Sequence, residues 1–141
     1  MIGSAAVDIS AQTRSLSSEG LLDSHSTLPG SVVLSLGGVG RNIAEAAHRV
    51  LASRGSPSAT LLLSSLGDDA FGRLLVEETQ RLGMRTDGLS KTAGQTAVCN
   101  MFLDVSGSLL GGVADMDIIR LLDESAVCVH SYSGRKVLNN L

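Results

Sequence analysis

The stretch Gly37-Gly38-Val39-Gly40-Arg41-Asn42-Ile43-Ala44 joins a strand-like run, Ser31 to Leu36, to a segment with helical spacing of apolar residues, Asn42 to Arg54. Glycines at a strand-to-helix junction let the backbone approach a ligand closely, and the start of a helix presents free N–H groups. An asparagine on the first turn can both donate and accept hydrogen bonds with vicinal hydroxyls. The stretch therefore indicates either a ligand-binding junction or simply a tight turn.

Two nucleotide-binding motifs fit this stretch poorly. A dinucleotide-binding fingerprint would need a third glycine where Ile43 stands, and no acidic residue follows at the end of the next strand. A P-loop would need Gly-Lys-Ser/Thr, which does not follow the glycines. The P-loop interpretation is excluded, and the dinucleotide interpretation is weak.

The flanking segments alternate between strand and helix patterns. Ile2 to Ile9 is a short apolar run with an acid, Asp8, at its end, and Ala59 to Leu66 is typical of a strand buried on both faces. Gly67-Asp68-Asp69 then supplies a turn and an N-cap before a predicted helix, Ala70 to Leu82. The order of strands and helices predicts an α/β sheet with helical crossovers.

The spacing of apolar residues also predicts which helix positions pack inward. In the first helix these are the apolar residues at three- and four-residue spacings, Ile43, Ala46, Ala47, Val50 and Leu51. In the second helix they are Phe71, Leu74, Leu75 and Leu82, and Glu77 is expected to pair with Arg81 at i,i+4.

The alternation of strand and helix patterns ends after the second helix. Thr96 to Asp104 and Ser108 to Ala114 are strand-like runs around Val105-Ser106-Gly107, which predicts a hairpin. A hairpin that projects from a parallel sheet suggests a flap or lid. The sequence further predicts a loop over Gln12 to Gly30, the start of a helix over Asp117 to Asp123 and a strand over Ala126 to Tyr132.

Composition bounds the class of protein. With 141 residues, a net charge of −3, 43% hydrophobic and 2% aromatic residues, the chain is expected to form one globular domain with an aliphatic core. The 11 basic and 14 acidic residues leave no basic surplus, so nucleic-acid binding is disfavoured. We expect no membrane span and a cytoplasmic location, because the sequence has neither an 18-residue apolar run nor a signal-peptide pattern at its start.

The cysteines and histidines give no sign of a metal or catalytic site. Cys99 and Cys128 lie in apolar runs without a CxxC partner, so both are expected to be buried, reduced thiols. The three histidines, His25, His48 and His130, are isolated in sequence and are expected to have surface or packing roles.

Three segments in order, GGVGRNIAEAA (37–47), LLLSSLGDDAFGRLL (61–75) and LGMRTDG (82–88), resemble the amino-terminal half of the pfkB, or ribokinase, family of carbohydrate kinases. Within the family, GGVGRNIA and the later Val113 to Ile118 are most similar to pseudouridine kinases. The resemblance implies an α/β fold: the N-terminal part of a ribokinase-like three-layer sheet with helical crossovers and a small β lid. Residues 1–119 would be a partial kinase domain with lid strands 31–36 and 96–114, and residues 120–141 an atypical tail.

The resemblance also implies a substrate site. Asp8 would accept hydrogen bonds from sugar hydroxyls, Gly37 and Gly38 would form the hinge of the lid beside the sugar, and Asn42 would contact ribose hydroxyls. The residues themselves leave a plainer alternative for Asp8, a cap at the end of its strand.

Other acidic residues are expected to have structural or solvent-exposed roles. Asp115 and Asp117 are interpreted as solvated or capping acids, and Asp68 and Asp69 as helix caps.

In the intact family the reaction is ATP-dependent phosphorylation of a sugar hydroxyl, with Mg²⁺. The family's catalytic half carries a Gly-Ala-Gly-Asp motif that this sequence lacks, so we assign no catalytic residue and expect neither ATP nor Mg²⁺ to bind this chain alone. The expected partners are a sugar or nucleoside and a second copy paired through the lid strands. The alternatives are a non-catalytic sugar or nucleoside binder, a lid-mediated dimerisation module and an inactive fragment.

Overall fold

A computed structural model of the chain describes residues 1–14 and 27–122. Within them lie eight regular elements: β1 Ala6–Thr13, β2 Gly30–Gly37, α1 Val39–Ser53, β3 Ser64–Gly67, α2 Ala70–Arg81, β4 Leu89–Thr92, β5 Val98–Leu103 and β6 Leu109–Asp115. Two short 3₁₀ helices, Pro57–Ala59 and Asp117–Leu121, complete this part of the chain. The strand predicted over Ala126 to Tyr132 and most of the loop predicted over Gln12 to Gly30 lie outside the described residues.

Four strands form a sheet in the order β2-β1-β5-β6, which we call the lid sheet. β1 pairs antiparallel with β2 and parallel with β5, and β5 forms the predicted antiparallel hairpin with β6. Both predicted bounds of the first strand are wrong, because β1 begins at Ala6 rather than Ile2 and continues beyond Ile9 to Thr13. Its polar end is extended because Gln12 and Thr13 pair with Ser31 and Gly30, so that β2 satisfies their backbone groups.

A second, parallel pair of strands, β3 and β4, carries the apolar run that follows α1. Leu62, Leu63 and Leu66 are buried, and Ile2 adds a parallel bridge to Leu63. The predicted buried segment is therefore confirmed, although its start is wrong, because Pro57 begins a 3₁₀ turn. The chain from Met1 to Thr13 thus contacts both sheets in succession.

The first helix begins three residues earlier than predicted and is rotated from the expected orientation. Its buried positions are Gly40, Arg41, Ala44 and His48, whereas Ile43 is 52% exposed, as is Val50. The rotation follows from close backbone packing, since a Cβ on Gly40 would lie 2.6 Å from Gly3 Cα. Packing of this glycine turns the side of the helix with Gly40, Ala44 and His48, which are four residues apart, toward the core. The apolar side with Ile43 and Val50 then faces outward.

The second helix packs as predicted against an aliphatic core. Leu75 is fully buried, and Phe71, Leu74 and Leu82 pack against the cluster formed by Ala5, Val7, Ala44, Leu62, Leu66, Leu75 and Met84. The expected pair of Glu77 with Arg81 is wrong, because Arg81 pairs with Glu78 at i,i+3 instead. Both spacings place side chains next to each other on a helix, so spacing alone does not select the partner.

One cysteine and one histidine lie within the described residues. Cys99 is a free thiol but is half-buried rather than buried, because it lies on the lid sheet outside the buried cluster of Ala6, Ala97 and Ile118. The packing role of His48 is confirmed: it is buried with its ring nitrogens 3.0 Å and 3.1 Å from two backbone carbonyl oxygens, those of Pro57 and Leu82. Cys128, His25 and His130 lie outside the described residues.

Candidate functional site

The register of the lid sheet decides which side chains share a face with Asp8. Asp8 lies opposite Ser35 of β2 and Cys99 of β5, and residues directly opposite each other point to the same face. Alternation along each strand extends this surface, the Asp8 face, to Ser10, Gln12, Ser31, Val33 and Met101. The face is rich in small and polar side chains near Asp8, as expected for a surface that contacts a hydroxylated ligand.

Sequence reasoning missed the neighbours of Asp8 on this face. The signal was present as alternation in Val7-Asp8-Ile9-Ser10-Ala11-Gln12, which is typical of a strand with two different faces. It could predict which side chains accompany Asp8 within β1. Ser35 and Cys99 could not be found in this way, because their positions depend on pairing between strands distant in sequence.

The opposite face of the lid sheet is apolar apart from Asn100, which pairs with Ile9 and Val113. Val7, Ile9 and Leu36 pack with the core where the sheet leaves the rest of the fold. Further out, the apolar side chains on this face are largely exposed, namely Val32, Leu34, Phe102 and Val113. The lid sheet therefore has one face that is polar near Asp8 and, on the other side, an outer apolar surface that no described residue covers.

The Asp8 carboxylate lies directly against Gly37. A Cβ on Gly37 would overlap the carboxylate carbon and both of its oxygens, so only glycine leaves room for this position of the acid. Among the residues that the structure describes, none donates a hydrogen bond to the carboxylate, and burial raises the pKa of Asp8. A half-buried carboxylate whose acceptor sites are not used by neighbouring donors is suited to bind hydroxyl groups.

The neighbouring glycine has a backbone conformation that few other residues adopt. Gly38 has φ +93° and stands at the N-cap of α1, where a Cβ would lie 2.5 Å from the Ser4 carbonyl oxygen. The Ser4 carbonyl also accepts the backbone N–H of Arg41 at 2.9 Å. The expectation of free N–H groups at this helix start is therefore wrong for Arg41, because the segment before β1 provides its acceptor.

Asn42 stands exposed on the first turn of α1, with its backbone N–H donating to the Gly38 carbonyl at 3.0 Å. Its side-chain Oδ1 accepts a hydrogen bond from Arg41 at 3.2 Å. All four predicted site residues thus belong to one junction. The Asp8 carboxylate lies on Gly37, Gly38 comes next in the chain, and the Asn42 backbone N–H donates to the Gly38 carbonyl. The structure places them together, but their contact with a substrate stays a prediction.

Arg41 is a feature that sequence reasoning did not single out. Its side chain is 6% exposed and forms an ion pair with Glu45 at 2.8 Å. Glu45 is also held by Arg49, whose hydrogen bond is the main reason that the pKa of Glu45 is lowered, with the charges of both arginines adding to it. The Arg41 Nε has no hydrogen-bond partner among the described residues. A buried arginine next to a candidate ligand residue is therefore partly unsatisfied.

The two acids before α2 have different roles. Asp69 is the helix cap predicted from the sequence, since it accepts the Gly72 N–H at 2.8 Å. It also accepts the Thr96 N–H and hydroxyl at 2.7 Å and 2.8 Å. Burial raises the pKa of Asp69, but these hydrogen bonds outweigh it and lower the pKa overall. The cap expected for Asp68 is wrong, because this exposed residue pairs with Lys91 on the surface.

The acids at the end of the lid sheet are solvent-exposed. Asp115 and Asp117 are both exposed, and the Arg120 guanidinium lies 3.6 Å from Asp117. The interpretation of these two residues as solvated acids is confirmed for the described part of the chain.

Residues 1–14 and 27–122 contain neither a cluster of metal-ligating side chains nor a helix suited to cross a membrane. In these ranges no three His, Cys, Asp or Glu side chains converge in a group that could hold a metal ion. No helix of the same ranges is both long enough and apolar enough to cross a membrane.

Comparison with known proteins agrees with this architecture. A family model described as pfkB family carbohydrate kinase matches residues 1–111. The pseudouridine kinase of Escherichia coli (strain K12) is 31% identical over 131 residues, which are 92% of this chain and 38% of that protein. YeiI, an uncharacterized sugar kinase of the same organism, is 44% identical over 68 residues, which are 48% of this chain and 17% of that protein.

Solved structures agree as well. A crystal structure described as that of a sugar kinase from Clostridium perfringens aligns with a TM-score of 0.71 and 26% identity, covering 96% of this chain and 39% of that one. The chain therefore spans less than two fifths of the length of each of these three relatives. The parallel strands with helical crossovers and the projecting lid sheet define a ribokinase-like fold. This confirms the fold class predicted from the sequence. The chain belongs to the pfkB family of carbohydrate kinases.

Proposed function

We propose that the junction of β1, β2 and α1 binds the acceptor of a pfkB carbohydrate kinase, a ribosyl compound such as pseudouridine. The observation that carries the proposal is the Asp8 carboxylate, which has no described donor and lies on Gly37, the residue before the N-cap of the helix that carries Asn42. A carboxylate accepts hydrogen bonds from hydroxyls, and an asparagine amide donates to them. Together they could bind two hydroxyl groups of one sugar.

Gly37 and Gly38 would act as the hinge of the lid sheet. Gly37 ends β2 and Gly38 has the positive φ that joins it to α1, so a small rotation here would move β2 relative to the helix. Movement of the lid sheet would bring the Asp8 face over the sugar and exclude water from it, as lids in other enzymes do. The absence of side chains at both positions also lets the sugar lie close to the backbone.

Pseudouridine is favoured as the acceptor by two observations. The GGVGRNIA segment resembles pseudouridine kinases, and a pseudouridine kinase is 31% identical over 92% of this chain. Another ribosyl compound would satisfy the same hydroxyl-binding residues, since Asp8 and Asn42 would contact the sugar rather than the base.

Kinases of this family use ATP and Mg²⁺, and phosphoryl transfer depends on positioning and electrostatic stabilisation of the transferred group. Asp8 and Asn42 would serve the positioning of the acceptor. We expect no ATP-dependent phosphorylation by these 141 residues alone, because the sequence contains no Gly-Ala-Gly-Asp motif to supply a base and an anion hole. Phosphorylation of pseudouridine by the purified chain, followed with labelled ATP, would contradict this expectation.

The proposed binding is tested by thermal unfolding of the purified chain with pseudouridine, uridine or ribose and without ATP. A ligand at 100 times its dissociation constant stabilises a folded chain by about 2.7 kcal/mol. We expect pseudouridine to raise the unfolding temperature of the chain and to lose this effect in Asp8→Asn. A cooperative transition that no sugar or nucleoside moves would refute the proposal. The absence of any cooperative transition would favour the inactive-fragment alternative.

A second candidate role is homodimerisation through the lid sheet. It is favoured by the outer apolar surface of Val32, Leu34, Phe102 and Val113, because exposed apolar patches mark sites of protein association. This role does not compete with sugar binding, since the apolar surface and the Asp8 face lie on opposite sides of the same sheet.

A further inference from the structure

We propose that Arg41 is a positioning residue that fixes the orientation of the Asn42 amide, so that Asn42 offers N–H donors and selects a ligand oxygen that accepts them. The inference rests on the proposed function, because it concerns the same sugar-binding junction. It names a specificity element within that site: Asp8 accepts and Asn42 donates.

The orientation of an asparagine amide depends on its hydrogen bonds, because its oxygen and nitrogen ends have almost the same shape. Arginine carries N–H donors and has no acceptor, so the atom of Asn42 that faces Arg41 at 3.2 Å must be the oxygen. The Asn42 amide nitrogen is then left for a ligand. Because Asn42 is exposed, both of its amide N–H bonds can reach a bound molecule.

Arg41 itself is held in place from two sides. Its backbone N–H donates to the Ser4 carbonyl, and its side chain is 6% exposed and forms the 2.8 Å ion pair with Glu45. Arg49 bonds the other oxygen of Glu45, but it is exposed and contributes little to the position of Arg41. Fixed side chains of this kind hold a functional group in its productive geometry.

The planar guanidinium is needed for this arrangement. One nitrogen of Arg41 contacts Asn42 while another contacts Glu45, which a lysine with a single ammonium group cannot reproduce in the same geometry. Arg49 offers a matched control, because it also pairs with Glu45 but is exposed and makes no contact with Asn42.

The experiment compares Arg41→Lys with Arg49→Lys in the full 141-residue chain. The first measurement is the ¹⁵N–¹H spectrum of the Asn42 side-chain amide without ligand, and the second is the dissociation constant for pseudouridine. We expect Arg41→Lys to shift the Asn42 amide resonances and to weaken pseudouridine binding about tenfold. Arg49→Lys should leave both close to those of the wild-type chain.

A third variant, Asn42→Asp, tests the direction of the hydrogen bond. It keeps the shape and would pair with Arg41, but it removes the donors, so we expect it to fold and to lose pseudouridine binding. Wild-type affinity in this variant would overturn the proposal. If Arg41→Lys does not fold, Glu45→Gln serves instead, because it weakens the hold on Arg41 without changing shape.

The two measurements separate this inference from the proposed function. Unshifted Asn42 amide resonances in Arg41→Lys would overturn the positioning role, whether or not pseudouridine binds. If the Asn42 resonances shift in Arg41→Lys but the wild-type chain binds no ribosyl compound, the proposed function is refuted and with it the specificity role. The shift would then still show that Arg41 orients Asn42.

Discussion

The Asp8 carboxylate occupies the volume that a side chain at Gly37 would need. A Cβ on Gly37 would overlap the carboxylate carbon and both oxygens, although the two residues are 29 positions apart in sequence and lie on adjacent strands. The acid and the glycine therefore depend on each other, because no residue with a Cβ fits at position 37 while the Asp8 carboxylate keeps this position.

Gly37→Ala should displace the Asp8 carboxylate and weaken pseudouridine binding by at least tenfold. Overpacking of this kind costs about 1 to 3 kcal/mol, which the chain relieves by rotating Asp8 away from its position. The dissociation constant for pseudouridine checks the prediction. Gly111→Ala is the control, because a Cβ on Gly111 of β6 meets no atom within 4 Å. Equal affinity of the two variants would show that the position of Asp8 is not important for binding.

Pseudouridine binding should depend on pH through Asp8. The charged carboxylate is the form that accepts hydrogen bonds from hydroxyls, and burial raises the pKa of this group above its usual value. Protonation therefore begins at a higher pH than for an exposed aspartate, and affinity falls as pH is lowered through that raised pKa. Calorimetric titration between pH 7 and pH 4 measures the fall. Asp8→Asn should bind weakly and with no such dependence; an equally steep fall in this variant would assign the titration to another group.

Asp69→Ala should destabilise the chain by about 1 to 2 kcal/mol, because it removes an N-cap and the acceptor of the Thr96 backbone N–H and hydroxyl. Chemical denaturation measures the change. Asp68→Ala is the neighbouring control and should leave stability unchanged, since Asp68 is exposed and pairs only with Lys91 on the surface. Equal losses in the two variants would contradict the assignment of the cap to Asp69.

The lowered pKa of Asp69 predicts the direction in which pH changes the stability of the chain. The folded pKa of Asp69 is lower than its usual value, so its contribution is fully present above the unfolded pKa and is lost as pH falls through the folded pKa. The stability difference between the wild-type chain and Asp69→Ala should therefore shrink in acid. A constant difference down to pH 2 would show that the charge of Asp69 is not what stabilises the helix start.

The paired substitution Val32→Ser with Leu34→Ser should abolish self-association of the chain, because both apolar side chains lie on the outer surface of the lid sheet. Light scattering after size exclusion measures the mass of the particle. Val50→Ser is the control, as an equally exposed apolar residue on α1 outside the lid sheet. A monomeric wild-type chain at high concentration would contradict the dimerisation role.

Several elements of the fold could be predicted because their signals are local. The glycines after Leu36, the apolar run ending at Leu66 and the capping acid Asp69 each specify a turn, a buried segment or a helix start through their own chemistry. The hairpin around Val105-Ser106-Gly107 is likewise predicted from neighbouring residues, because the turn residues lie between two strand-like runs. Such features depend on residues that are neighbours in the chain, so a single sequence is enough to find them.

The errors arose where contacts between distant segments overrode a local pattern. The apolar stripe of α1 predicted a buried Ile43, yet close packing of Gly40 on Gly3 turns that side outward and buries Arg41 instead. In the same way, pairing with β2 extends β1 to Thr13, because β2 satisfies the backbone groups of Gln12 and Thr13 there.

Local spacing and motif chemistry were enough to predict the family, most of the elements and the residue types at the junction, Asp8, Gly37, Gly38 and Asn42. The strand β4, Leu89–Thr92, was not predicted. Only the tertiary structure decided how the junction is assembled. Strand pairing lays Asp8 on Gly37, and helix packing buries Arg41 beside Asn42. The physical reason is that register and helix rotation are set by close contacts between segments tens of residues apart, which no local pattern contains.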